Sequence, residues 1–91
     1  MLRQAVLSAA AALPPPLSHP SGDELFNLGL RYSTGVGGAP LDYVAAHTAF
    51  NLAAVMGSLE ARVYRKEFRA EMDPHDVAEA QRAAREWLAA A

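Results

Sequence analysis

Apolar residues recur with helical spacing in four stretches of this chain, and glycine or proline separates each stretch from the next. Leu25, Leu28, Gly29 and Tyr32 fall at i, i+3, i+4 and i+7, which is one face of a helix. Ser21 precedes them with Glu24 three residues on, the form of a capping box. Gly35, Gly37 and Gly38 stop this first helix, and the short loop 34–41 turns the next one back against it. Asp42 is placed to cap the second helix, whose buried face reads Ala46, Ala49, Phe50, Ala53 and Ala54; Gly57 follows where a left-handed residue ends a helix. A third helix is predicted over 58–72, with Ala61, Tyr64, Phe68 and Met72 sharing a face. Asp73-Pro74 then reads as a stop and restart, and Val77, Ala80, Ala84, Trp87 and Leu88 line one side of a fourth helix. No stretch alternates with period two for long enough to make a strand. The expectation is an all-α fold of about four helices.

The N-terminal residues follow another pattern. Residues 13–22 hold four of the six prolines, three of them consecutive, which favours extended polyproline II and a semi-rigid spacer. Residues 1–13 carry one Arg, then Ala5-Val6-Leu7-Ser8 and four alanines. That stretch has the outline of a weak secretory signal. The alternative is a short helix stopped by the prolines, with a cytoplasmic location as the default. No apolar run approaches the ~20 residues that cross a bilayer. The division expected is an Ala-rich arm and Pro-rich linker over 1–20, a helix–loop–helix unit over 21–58 and a C-terminal helical hairpin over 59–91.

Composition sharpens the fold class. Alanine occupies 20 of the 91 positions, mostly in runs with helical spacing, and it is the best helix former. A chain of this size buries only roughly 60% of its unfolded surface, and without cysteine it has neither a disulfide nor a thiolate metal site to help. Net charge −2 and a pI near 5.8 argue against a general nucleic-acid or anionic-membrane binder.

Residues 28–61 resemble one Sel-one-like repeat, a tetratricopeptide-related helix–loop–helix unit. The residues carrying the resemblance are Leu28, Gly29 and Tyr32 in the first helix and Gly35 and Gly37 in the loop. Asp42, Ala46, Phe50, Ala53-Ala54 and Gly57 follow in the second helix, and Ala61 opens what comes next. Two positions depart from the family pattern. Ala49 stands where Trp is frequent, and Val63-Tyr64-Arg65-Lys66 continues as a charged helix where a second Leu-Gly is expected. The resemblance therefore implies one repeat followed by a cap, and residues 71–88 are similar to the ends of short proteins of that family. It implies binding of protein partners and no cofactor.

The residue types that carry chemistry do not converge in the sequence. His19 sits among prolines, His47 beside Ala46 reads as a surface or packing residue, and His75 with Glu79 makes an ordinary first-turn pair that lacks further metal ligands. The glycine-rich stretch 34–38 leaves a helix and lacks the P-loop Lys, so it is a turn. No catalytic, cofactor or metal residue is assigned.

One charged pattern remains. Arg62, Arg65, Lys66 and Arg69 recur at i, i+3, i+4 and i+7, while Glu60, Glu67 and Glu71 fall on the opposite flank. The stripe is a solvated helix face, a docking face for an acidic protein segment, or a nucleic-acid contact. A single repeat also leaves one face of its first helix without a neighbour, since stacked repeats supply each other's cover. The expected function is a small helical-repeat adaptor or regulator. It would bind a partner in the groove near Leu25, Tyr32, Phe50 and Ala54, with Arg62, Arg65, Lys66 and Arg69 as further contacts. The alternatives are a structural homodimer without a client and a small nucleic-acid accessory factor using the arginines.

Overall fold

A computed structural model describes residues 13–39 and 41–90, so the arm and most of the signal-like stretch lie outside the described residues. Four helices follow in order: α1 (Gly22–Thr34), α2 (Tyr43–Val55), α3 (Leu59–Ala70) and α4 (Pro74–Ala89), with short 3-10 turns at Pro16–Ser18 and Val36–Gly38. No strand occurs among the described residues, and the chain is all-α.

Each helix starts on the side chain its sequence supplies. The Ser21 hydroxyl accepts from the Glu24 amide at 3.1 Å, and the Glu24 carboxylate accepts from the Ser21 amide at 3.1 Å, a complete capping box. Asp42 accepts from the Ala45 amide at 3.0 Å, Ser58 from Ala61 at 3.2 Å and Asp73 from His75 at 2.8 Å. Gly35 (φ 75°) ends α1 in the left-handed region, donating its amide to the Arg31 carbonyl at 2.7 Å. The loop is pinned across its base, where the Asp42 amide donates to the Tyr32 carbonyl at 3.0 Å. α3 is shorter than the spacing predicts: it ends at Ala70, and Met72 lies in the turn beyond. Pro74 explains the early stop, because it has no N–H for the Ala70 carbonyl four residues back and disfavours helical geometry at Asp73, which is extended.

α2 is the centre of the molecule. It packs most extensively on α1, and α3 and α4 each lie against it while making little direct contact with one another. The two C-terminal helices, adjacent in sequence as a hairpin, are in space two flanks of α2. Residues 45–50, 52 and 53 are all buried, so α2 is covered nearly all round and not on one face alone. Its small residues permit this, because alanine on several sides lets three neighbours approach closely.

Two clusters fill the interior. On one side Leu25, Leu52, Ala53, Ala61, Ala84 and Trp87 pack together with Leu13. On the other, Phe50 lies among Phe26 (5.9 Å between centroids), Tyr64 (5.7 Å) and Phe68 (5.8 Å), which ties α1, α2 and α3 together.

The proline linker is not an extended spacer. Pro15 has polyproline backbone angles, but the chain then closes into the 3-10 turn, with the Ser18 amide donating to the Pro15 carbonyl at 3.0 Å. Leu13 and Pro20 are buried, and the Trp87 indole N–H donates to the Pro14 carbonyl at 2.8 Å. Apolar burial at both ends of this short segment and a hydrogen bond between them outweigh the extended preference of the prolines. The segment is a strap against the bundle.

Candidate functional site

The partner groove expected between α1 and α2 is filled by the chain itself. Leu25 and Phe50 are fully buried, so neither presents a surface to a partner; Tyr32 and Ala54 are half-buried. The cause is Gly29, where a β-carbon would overlap the Phe50 ring. Without one, α1 settles onto that ring and the gap closes. The strap supplies cover as well, since Leu13 packs in the cluster that contains Leu25 and Trp87. What stays open on α1 is a shallow depression lined by Pro14, Glu24, Asn27, Leu28, Arg31 and Val36.

The cationic residues expected at a site do share one surface. Arg62, Lys66 and Arg69 are exposed and Arg65 is half-buried along the outer side of α3, with shallow depressions between them. Among the described residues, no carboxylate lies within ion-pairing distance of any of the four. The ion pairs found there belong to α4, Arg82 with Glu79 at 2.6 Å and with Glu86 at 2.9 Å, and the His75 imidazole lies 3.7 Å from the Asp76 carboxylate. Arg82 is held further toward its charged form by these carboxylates. The α3 cations have no such partners, because Glu60, Glu67 and Glu71 project from the far flank of their helix.

Between the two charged flanks lies an outward apolar line that the sequence reading missed. Leu59 is 70% exposed and Val63 55%, with Ala70 exposed two further turns along. α3 thus carries two apolar stripes. Ala61, Tyr64 and Phe68 face the bundle, and Leu59, Val63 and Ala70 face away from it. The signal was present in the spacing, since Leu59 and Val63 are i, i+4 and fall opposite Ala61 and Phe68 at about 100° per residue. Val55 and Met56, exposed at the end of α2, extend the apolar surface in sequence toward Leu59.

The histidines fall in three different settings. His47 is fully buried, and neither ring nitrogen has a hydrogen-bond partner among the described residues; its ring stacks on Phe68 at 6.4 Å and 22°. Burial pushes its pKa down to about 4, and the charges of Arg69 and Arg65 push in the same direction, so it is neutral at pH 7. Asn51, one turn on, has a buried amide nitrogen that is also without a partner. His75 is not paired with Glu79, whose carboxylate is taken by Arg82. His19, in the left-handed region at φ 53°, closes the strap turn by donating its amide to Pro16 at 3.1 Å. Among the described residues no three His, Asp or Glu side chains gather as metal ligands, and no helix is long and apolar enough to cross a membrane. Comparison with protein-family models, with curated protein sequences and with solved structures finds no match to this chain.

Proposed function

We propose that the chain is a protein–protein interaction module, a small helical adaptor or regulator and not an enzyme, which docks its partner on the outer face of α3. The observation that carries this reading is the cation row Arg62, Arg65, Lys66 and Arg69, without a carboxylate partner among the described residues, beside the exposed Leu59 and Val63. Protein interfaces combine an apolar centre with a polar rim, and a contiguous apolar line that a chain leaves in water beside charges it does not neutralise has the same make-up. The likeness of residues 28–61 to a Sel-one-like repeat supports binding over catalysis, by analogy of fold. The site differs from the groove such a unit suggests, because Leu25 and Phe50 are occupied in the core.

A nucleic-acid role has less support. The chain's net charge is −2, and the Tyr64 and Phe68 rings pack against Phe50 rather than standing free beside the arginines.

The test is a photoreactive side chain at Val63, with Arg85 on the exposed side of α4 as the control position. A discrete protein adduct from position 63 and none from position 85 is the expected result. Equal labelling at both positions, or none at either, would remove α3 as the docking face.

A further inference from the structure

The outer face of α3 carries a second strip of positions at heptad spacing. Leu59, Val63, Lys66 and Ala70 are spaced four, three and four residues apart, the d–a–d–a rhythm of a coiled-coil seam. In that register Arg62 and Arg69 take the g positions and Glu60 and Glu67 the e positions. All eight of these side chains are exposed. At about 100° per residue the seam forms one narrow strip, with the arginines along one edge and the glutamates along the other. The register is independent of the inward face, whose Ala61, Tyr64 and Phe68 lie on the opposite side of the helix.

Resting on the reading of this face as a docking surface, we infer that its partner is a second copy of this chain, joined α3 to α3 in parallel about a two-fold axis running alongside the helices. Charge complementarity selects both occupant and orientation. In a parallel pair a g residue reaches the e residue of the next heptad on the other helix, so Arg62 meets the partner's Glu67, and Glu67 meets the partner's Arg62. In an antiparallel pair g faces g and e faces e, which sets arginine against arginine and glutamate against glutamate. The face is therefore self-complementary one way round and self-repelling the other. Val63 at a with Leu59 at d agrees with this, since a β-branched residue at a with leucine at d favours two parallel strands.

The same residues set the strength. α3 has 12 residues and is about 18 Å long, so its seam alone is small beside a standard interface of roughly 800 Å² per partner. Lys66 at a d position brings like charges together at the centre of the pair. The dimer is accordingly a reversible, concentration-dependent one, and Lys66 is the residue that limits it.

Sedimentation of the full chain across concentration tests this, with Arg62→Glu, Glu67→Arg and Lys66→Leu variants. The wild-type chain should show a monomer–dimer equilibrium. Each charge reversal should weaken it by about tenfold, the scale of two exposed ion pairs turned into repulsions. An equimolar mixture of the Arg62→Glu and Glu67→Arg chains restores both pairs and should associate at least as well as wild type, as should the double variant alone. Lys66→Leu should tighten the dimer. A wild-type chain that stays monomeric at every concentration overturns the inference, and so does a mixture that associates no better than its separate parts. If the chain is monomeric yet position 63 cross-links a different protein, self-pairing falls while α3 stands as a docking face. If position 63 yields no adduct either, both fall.

Discussion

The edge of the Phe50 ring occupies the space that a β-carbon on residue 29 would fill. Adding that methyl pushes against a ring already enclosed by Phe26, Tyr64 and Phe68. Gly29→Ala gains up to about 1 kcal/mol of helix propensity and loses about 1–3 kcal/mol to overpacking, so the expected net effect is destabilising. Denaturant unfolding should show the midpoint falling in Gly29→Ala and recovering in part in Gly29→Ala with Phe50→Leu, which vacates the contested space. A Gly29→Ala chain more stable than wild type would mean that α1 does not lie this close to α2.

The strap makes a second prediction. Trp87→Phe keeps an aromatic ring in the core but removes the N–H bonded to Pro14, at a cost of about 0.5–1.5 kcal/mol. Leu13→Ala removes a buried side chain, and by analogy with other core truncations it costs about 2–4 kcal/mol. If residues 13–20 were only a spacer, thermal unfolding of Leu13→Ala would match wild type.

His47 gives the fold a pH dependence of known sign. Its folded pKa of about 4 lies below the unfolded value of 6.5, so between those values the unfolded chain binds more protons than the folded one. Stability from this residue is therefore complete above about pH 6.5 and is lost as pH falls toward 4, at about 1.4 kcal/mol per unit of displacement at most. His47→Leu removes the titrating group from the apolar site. Over pH 4–6.5 its stability should fall less steeply than that of wild type, and parallel curves would show that His47 is not buried neutral.

Among the described residues the α3 cations have no carboxylate partner to lose, so replacing them should leave the fold intact. The Arg62→Gln, Arg69→Gln double variant is expected to unfold within about 0.5 kcal/mol of wild type, as exposed substitutions usually do. The same chain reports on nucleic acid. Duplex or single-stranded oligonucleotide binding by wild type that weakens steeply with salt, and is lost in the double variant, would favour the accessory-factor reading over protein docking.

Much of the fold was legible because its signals are local. Ser21 with Glu24, Asp42, Ser58 and Asp73 each cap the helix the sequence assigns to them, and the glycines at 35 and 57 adopt the positive φ angles that end helices. The errors came where tertiary packing decides. Alanine says that neighbours come close but not how many, so α2 was given one buried face when it has several. The proline run has an extended preference of its own, and only the distant Trp87 shows why it folds back. For the site, the cation row could be read directly from spacing, whereas the exposure of Leu59 and Val63 needed knowledge of which α3 face meets α2. Leu25 and Phe50 were assigned to a groove because they share a face with Tyr32 and Ala54. Sharing a face does not distinguish a lining residue from a filling one.

The bond between Pro14 and Trp87 spans 73 positions of the chain. Contacts of such long sequence separation are slow to form, because the intervening segment must be ordered before they bring any gain. During synthesis the strap leaves the ribosome ahead of α4, and the Trp87 N–H that holds Pro14 arrives only with that helix. An early-emerging segment is thus secured late, and until then the part of the Leu13 cluster that Trp87 covers remains open to water.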